Sequence, residues 1–267
     1  MKRKLAVISI LLIAVLGNFI WANGTGEAPA QDLLARIKAK GEITIAMEGN
    51  WAPWTYHDET DKLVGYDTEI GEAIAQALGV KARFIEGEWD GLLAGLEGGR
   101  YDIMINGVDV TADRELKFTF SEPYAYIRTA LAVRSDNQEI KSLADLNGKT
   151  TANSVGSTYM ELAERYGATV SGVDTLSETI QVLVAGRVDA TLNADVSFYD
   201  YLKAQPNTPI KLVAFADDIN RVAIPMKKGS DSQSLVEAVN KALASLRASG
   251  KLSELSMKYF GGDVSSL

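Results

Sequence analysis

The sequence predicts an α/β protein in which two lobes of one plan, each a mainly parallel sheet flanked by helices, face each other across a cleft. Three observations carry that expectation. Between residues 42 and 105, short apolar runs alternate with helical stripes in the order β-α-β-α-β, the pattern of parallel strands joined by crossover helices. The run Gly99-Arg100-Tyr101-Asp102-Ile103-Met104-Ile105-Asn106-Gly107 is echoed by Gly186-Arg187-Val188-Asp189-Ala190-Thr191-Leu192-Asn193-Ala194, with Gly, Arg, Asp and Asn recurring in one register. The helices before them match as well, Leu93 and Leu96 falling opposite Ile180 and Leu183. Two extended runs, near residues 130–136 and 222–227, then cross between the lobes and suit a hinge.

The elements follow in order. A short helix over residues 31–40 buries Leu33, Leu34 and Ile37 and stops at Gly41; residues 42–47 form a strand. After Gly65-Tyr66, Asp67 is placed to cap a helix carrying Ile70, Ala73, Ile74, Ala77 and Leu78. Residues 80–85 form the next strand, Leu92, Leu93 and Leu96 stripe a helix, and Gly98-Gly99 end it. A short helix over residues 141–148, a strand at 149–153, a helix at 198–203 and a strand at 210–215 build the second lobe. Two closing helices carry Leu235, Val236, Val239 and Leu243, and then the residues from Lys251 to Tyr259. The division expected from this reading is 31–131 plus 227–267 for lobe one and 132–226 for lobe two.

Composition narrows the function. The chain has 267 residues, 46% hydrophobic, enough for a real core. A formal charge of −8 argues against nucleic acid as a partner, which needs a basic face. There is no cysteine and a single histidine, His57, so thiol catalysis and zinc–thiolate sites are excluded and little remains for a metal. Met1-Lys2-Arg3-Lys4, an apolar run to Ile20 and the small residues after it read as a secretory signal peptide, residues 1–22, followed by a linker at 23–30. An uncleaved anchor is the rival, for which the apolar core is short. Without a cysteine after that run no lipid anchor is expected, and removal of Lys2, Arg3 and Lys4 takes the charge to −11.

The chemistry gathers at strand ends, where ligands bind in open α/β sheets. Beyond residues 103–105 lie Asn106, Gly107, Asp109, Thr111 and Arg114. An ammonium needs the carboxylate and a carboxylate needs the guanidinium; a free α-amino acid carries both. The bland alternative is a turn, a helix cap and a surface pair. The strand ending at Met47 runs into Glu48, Trp51 and Trp54, which read as pocket wall or core; Trp89 is open to the same two readings. Gly156, Ser157 and Thr158, between a strand and a helix, make an anion-binding turn or an ordinary cap. Asn193 ends the echoed strand, and Asp195 is a second candidate carboxylate.

Read together, Gly65-Tyr66-Asp67-Thr68-Glu69-Ile70, Asp109-Val110-Thr111-Ala112-Asp113-Arg114, Phe120-Ser121-Glu122-Pro123-Tyr124, Gly156-Ser157-Thr158, Gly186-Arg187-Val188-Asp189-Ala190 and Lys258-Tyr259-Phe260-Gly261 resemble the periplasmic amino-acid-binding proteins of ABC importers. The resemblance covers about residues 31–262. It implies the two-lobed Venus-flytrap fold of periplasmic binding proteins, a free polar or sulfur-containing amino acid such as cystine as ligand, a membrane permease as partner, a monomer in the periplasm, and no cofactor. It places Arg114 on the ligand α-carboxylate with Thr158 and its neighbours, Gly107 and Asp109 near the ammonium, Trp51 over the ligand and Glu48 on its side chain. One departure stands out. The family usually sets an aspartate for the ammonium at the position of Ala194, so that task falls here to Asp109 or, with a shifted loop, to Asp195. A dehydratase on the same fold, with Glu48, Asp109 or Asp195 as acid or base, and the sensor module of a larger protein are the competing readings.

Overall fold

A computed structural model describes residues 32–267; the expected signal peptide and linker lie outside them. Two five-stranded sheets organise the chain. In the first, the order is Lys81–Glu86 (β5), Glu42–Met47 (β1), Ile103–Met104 (β6), Pro225–Lys227 (β13) and Phe118–Phe120 (β7). In the second it is Thr169–Gly172 (β10), Thr150–Asn153 (β9), Ala190–Ala194 (β11), Ala125–Arg134 (β8) and Ile210–Val222 (β12). Both follow one scheme: three neighbouring strands run parallel and the last two are antiparallel. The antiparallel strands are those the chain uses to pass between the sheets.

The helices are Leu33–Lys40 (α1), Tyr66–Leu78 (α2), Trp89–Glu97 (α3), Ala112–Lys117 (α4), Thr158–Arg165 (α5), Leu176–Val184 (α6), Asp195–Ala204 (α7), Gln233–Ala248 (α8) and Lys251–Phe260 (α9). Strand β1 is apolar on both faces because α2 and α3 both pack on it, and Ile43, Ile45, Ala46 and Met47 are fully buried. Each buried isoleucine contributes about 2–3 kcal/mol of transfer free energy.

The internal echo is physical. Asp102 accepts from the Thr44 backbone N–H (2.7 Å) and hydroxyl (2.6 Å), and Asp189 accepts from the same two groups of Thr150 (2.8 and 2.9 Å). Each aspartate thus pins the start of the strand beside its own. Gly99 and Gly186 both lie in the left-handed region, at φ +72° and +70°, a backbone that glycine adopts without strain. One repeat therefore delivers two strand ends, after β6 and after β11.

Strands β8 and β12 form a long antiparallel ribbon. Its register slips between Phe215↔Ala130 and Ile219↔Arg128, leaving extra residues in β12. The passages between the sheets are residues 121–124 and 223–224, and residues 131 and 132, where the division was expected, both lie inside β8.

One local expectation is corrected and one open reading is resolved. Residues 48–64 hold a third sheet, Asn50–Trp51 (β2), Thr55–His57 (β3) and Leu63–Val64 (β4). Asp67 does not cap α2: Gly65 occupies the cap position without a side-chain bond. Asp67 is instead fully buried, accepting from the Gly107 N–H (2.6 Å) and the Tyr124 hydroxyl (2.8 Å), and burial pushes its carboxyl up to about 7. Trp54 is core, fully buried against Trp51, Tyr66 and Phe260.

Candidate functional site

The ends of β1 and β6 meet the N-termini of α5 and α6 around one cavity. From the first sheet come Glu48, Asn50, Trp51, Trp89, Gly107, Asp109 and Arg114; from the second come Ser154, Ser157, Thr158, Tyr159, Asp174, Thr175, Leu176 and Asn193.

Glu48 follows β1 directly. Its N–H donates to Asn106 Oδ1 (2.7 Å) and its Oε2 accepts from Asn106 Nδ2 (2.6 Å). Burial raises its carboxyl to about 7, against the pull of Asn106 and with a further push from Glu88. Gly107 sits at φ +56°, and a Cβ there would lie 2.6 Å from Trp51 Cζ3, so a side chain would displace the indole that walls the cavity. Asp67 holds this glycine from behind.

Thr111 caps α4 by accepting from the Arg114 N–H (3.2 Å), which aims the arginine back at the cavity. Its Nη1 donates to the Asp109 carbonyl (3.0 Å), its Nη2 to the Gly156 carbonyl (3.3 Å), and its guanidinium lies 5.1 Å from the centre of the Trp89 ring. Burial lowers its pKa, Asp109 opposing.

Asp109 is 4% exposed. Its Oδ2 accepts from the Thr158 hydroxyl (2.6 Å) and Asn220 Nδ2 (3.0 Å), while its Oδ1 has no partner. Desolvation pushes the carboxyl up to about 6, with Thr158, Arg114 and Asn220 pulling it down. The buried Trp51 Nε1 is likewise without an acceptor. An unpaired buried donor and acceptor in one cavity are costly unless a ligand completes them.

Side-chain hydrogen bonds, that of Asn220 to Asp109 among them, bridge the sheets around this space. Besides those of Thr158 to Asp109 and Arg114 to Gly156, Trp89 Nε1 donates to the Gly156 carbonyl (3.4 Å) and Trp54 Nε1 to Ser197 Oγ (3.1 Å). The two sheets are closed on each other.

Nine of the residues singled out from sequence line the cavity; Asn106, Gly156 and Asp195 do not. Asn106 is fully buried and orients Glu48; Gly156 offers its carbonyl to Arg114 and Trp89. Asp195 opens α7, accepts from the Val196 N–H (2.9 Å) and faces Arg128 Nε at 3.6 Å. Asn50, Ser154, Tyr159, Asp174, Thr175 and Leu176 were missed. The echo held a signal for the last: the register pairing Gly99 with Gly186 pairs Trp89 with Leu176. Thr175 and Glu178 form a capping box there. Among the described residues no group of three or more His, Cys, Asp or Glu is placed to hold a metal ion.

A two-sheet clamp with charged groups at the strand ends is the build of a solute receptor. Residues 43–262 match the family described as bacterial extracellular solute-binding proteins, family 3, and the chain belongs to that family. It is 40% identical to the L-cystine-binding protein TcyA of Bacillus subtilis, over 97% of this chain and 96% of that one. Among solved structures, the unliganded open L-cystine receptor of Neisseria gonorrhoeae is 39% identical with a TM-score of 0.59, covering 88% of this chain and 99% of that one. An ancestral arginine-binding protein bound to arginine is 34% identical with a TM-score of 0.77, covering 83% and 99%.

Proposed function

We propose that this chain is the exported receptor of an ABC amino-acid importer, closing two lobes on a free amino acid and presenting it to the permease. The observation that carries the reading is Asp109 Oδ1, an unpaired buried acceptor on a residue that lines the same cavity as Arg114. The two together match an α-ammonium and an α-carboxylate.

The rest of the cavity favours a ligand with a second charged end. Once Asp109 and Arg114 are used, Glu48 and Asp174 remain as acids and Trp51 Nε1 as an unpaired donor. L-cystine, with an ammonium and a carboxylate at each end, answers both; the relative at 40% identity carries cystine in its name. Arginine, with one cationic end, is the rival.

Closure is part of the proposal. The TM-score is higher against an arginine-bound structure than against an open unliganded one, though sequence identity runs the other way. That order is expected of a chain in the closed arrangement. The lobes expected as residues 31–131 plus 227–267 and 132–226 are better divided at the passages 121–124 and 223–224, which keeps β8 and β12 whole in lobe two and β13 whole in lobe one. The β8–β12 ribbon, which both passages enter, is read as the hinge's anchor.

The receptor acts as a monomer in the periplasm after loss of residues 1–22; mass spectrometry of the exported chain is expected to find Asn23 first, and a retained Met1 would refute cleavage. A thermal-shift screen of the common amino acids and cystine tests the function. A ligand at 100 times its dissociation constant adds about 2.7 kcal/mol of stability. Stabilisation by cystine is expected; no shift with any amino acid, or turnover of a prephenate-like substrate, would overturn the receptor reading.

A further inference from the structure

Asp109 is approached from two sides. It and Thr158 line both the ligand cavity and an outer groove, whereas Asn220 and Thr129 line the groove alone. Asn220 Nδ2 reaches Asp109 Oδ2 from that outer side at 3.0 Å and lies 3.2 Å from Thr129 Oγ1. Thr129 is on β8, 3% exposed, and Asn220 is on β12 just beyond the register slip. Both belong to the hinge ribbon. The backbone beside Asp109 is fastened to the same ribbon, Val110 N–H donating to the Arg221 carbonyl (2.8 Å) and Ala223 N–H to the Val108 carbonyl (3.0 Å).

A carboxylate turns about its last bond unless donors fix it. Thr158 comes from the opposite lobe and leaves when the lobes part; Asn220 comes from the ribbon, close to the anchored backbone. We propose that Asn220 is a positioning residue: seated on Thr129, it holds Oδ2 of Asp109 so that Oδ1 faces the ligand's ammonium, and it ties that contact to the hinge. The proposal rests on the amino-acid-receptor reading. It assigns a specificity role to a residue outside the cavity, reached through Asp109 alone.

The test is calorimetric titration of wild type, Asn220→Ala and Thr129→Val with L-cystine and L-arginine as probes, repeated between pH 5 and 8. Asn220→Ala is expected to weaken the probe that wild type binds by about tenfold, the loss of one hydrogen bond to a charged group. It should also move the acid limb of the affinity profile to higher pH, because Asn220 stabilises the ionised carboxylate. Arg114 and Tyr159 face Asp109 from the cavity, and Asp113, Glu161, Arg165, Asp218 and Arg221 surround the groove; none is altered. Thr129→Val should move both quantities the same way by less. In an Asp109→Asn background, Asn220→Ala should leave the profile where it is. Wild-type affinity in Asn220→Ala, or weaker affinity with an unmoved acid limb, would overturn the proposal. Should Asn220→Ala show no cooperative melting, an unmoved limb in Thr129→Val would do so. If wild type binds neither probe, the amino acid that stabilises it in the thermal-shift screen takes the probe's place, and stabilisation by no amino acid would overturn the receptor reading and this inference together.

Discussion

Arg114→Ala is expected to raise the dissociation constant for the amino acid by about a thousandfold, measured by calorimetric titration at neutral pH. Removing one partner of a buried charge pair costs about 3–5 kcal/mol, and each 1.4 kcal/mol is about tenfold. The middle of that range is expected because Arg114 is 8% exposed and already oriented. Thr111 fixes its backbone, the Asp109 and Gly156 carbonyls take one proton each from Nη1 and Nη2, and Trp89 lies against its face. The ligand therefore meets a fork that loses little entropy on binding. Arg114→Lys keeps the charge but not the planar fork, and is expected between wild type and alanine. The empty protein's melting temperature separates site from fold. An Arg114→Ala protein that melts as wild type and binds as wild type would remove the central contact of the proposed site.

Sequence carried the strand ends because they lie where two periodicities meet. Residues 103–105 are apolar and unbroken, the helices before and after are striped, and the chemistry sits just past the switch. That reasoning named Glu48, Gly107, Asp109, Arg114 and Thr158 as candidates, the family resemblance joined them at one ligand, and all five line one cavity. It failed where a side chain's role depends on depth. Asp67 stands where a cap would, and nothing in its neighbours says that it is fully buried and holds Gly107. The strands β2, β3 and β4 have two or three residues each, too few to alternate visibly. Asp174 and Thr175 carry the pattern of an ordinary helix start, Thr175 capping α6, and nothing in that pattern marks them as cavity residues. Asn220 was illegible for another reason: it lies in a strand whose register slips, so counting along β12 does not tell which face it takes.

Asp109→Ala should cost more than Asp195→Ala, and this comparison decides which aspartate has taken over from the position now held by Ala194. Ala194 is fully buried and paired with Thr129 in the β11–β8 ladder, so it has no reach to a ligand. Asp195 lies outside the cavity lining and faces Arg128, whose side chain is half exposed. An ion pair of that kind is worth about 1 kcal/mol or less, and Asp195→Ala should shift affinity by no more than a few-fold. In the proposed site Asp109 is the buried partner of a buried ammonium, and its loss should cost about two to three orders of magnitude. The pH profile carries the same assignment. Burial pushes the Asp109 carboxyl up to about 6 in the empty cavity, so below that pH the neutral acid is favoured. An ammonium requires the ionised form. Affinity should fall as pH drops through about 6, and binding near that pH should release a proton, read as a dependence of the calorimetric heat on the buffer's ionisation enthalpy. Glu48, raised to about 7, adds a second release when the ligand's far end is cationic and none when it is neutral. Asp109→Asn should abolish the release near 6 and spare that of Glu48. Equal losses for the two aspartates, or a larger one for Asp195, would place the ammonium at the head of α7 instead.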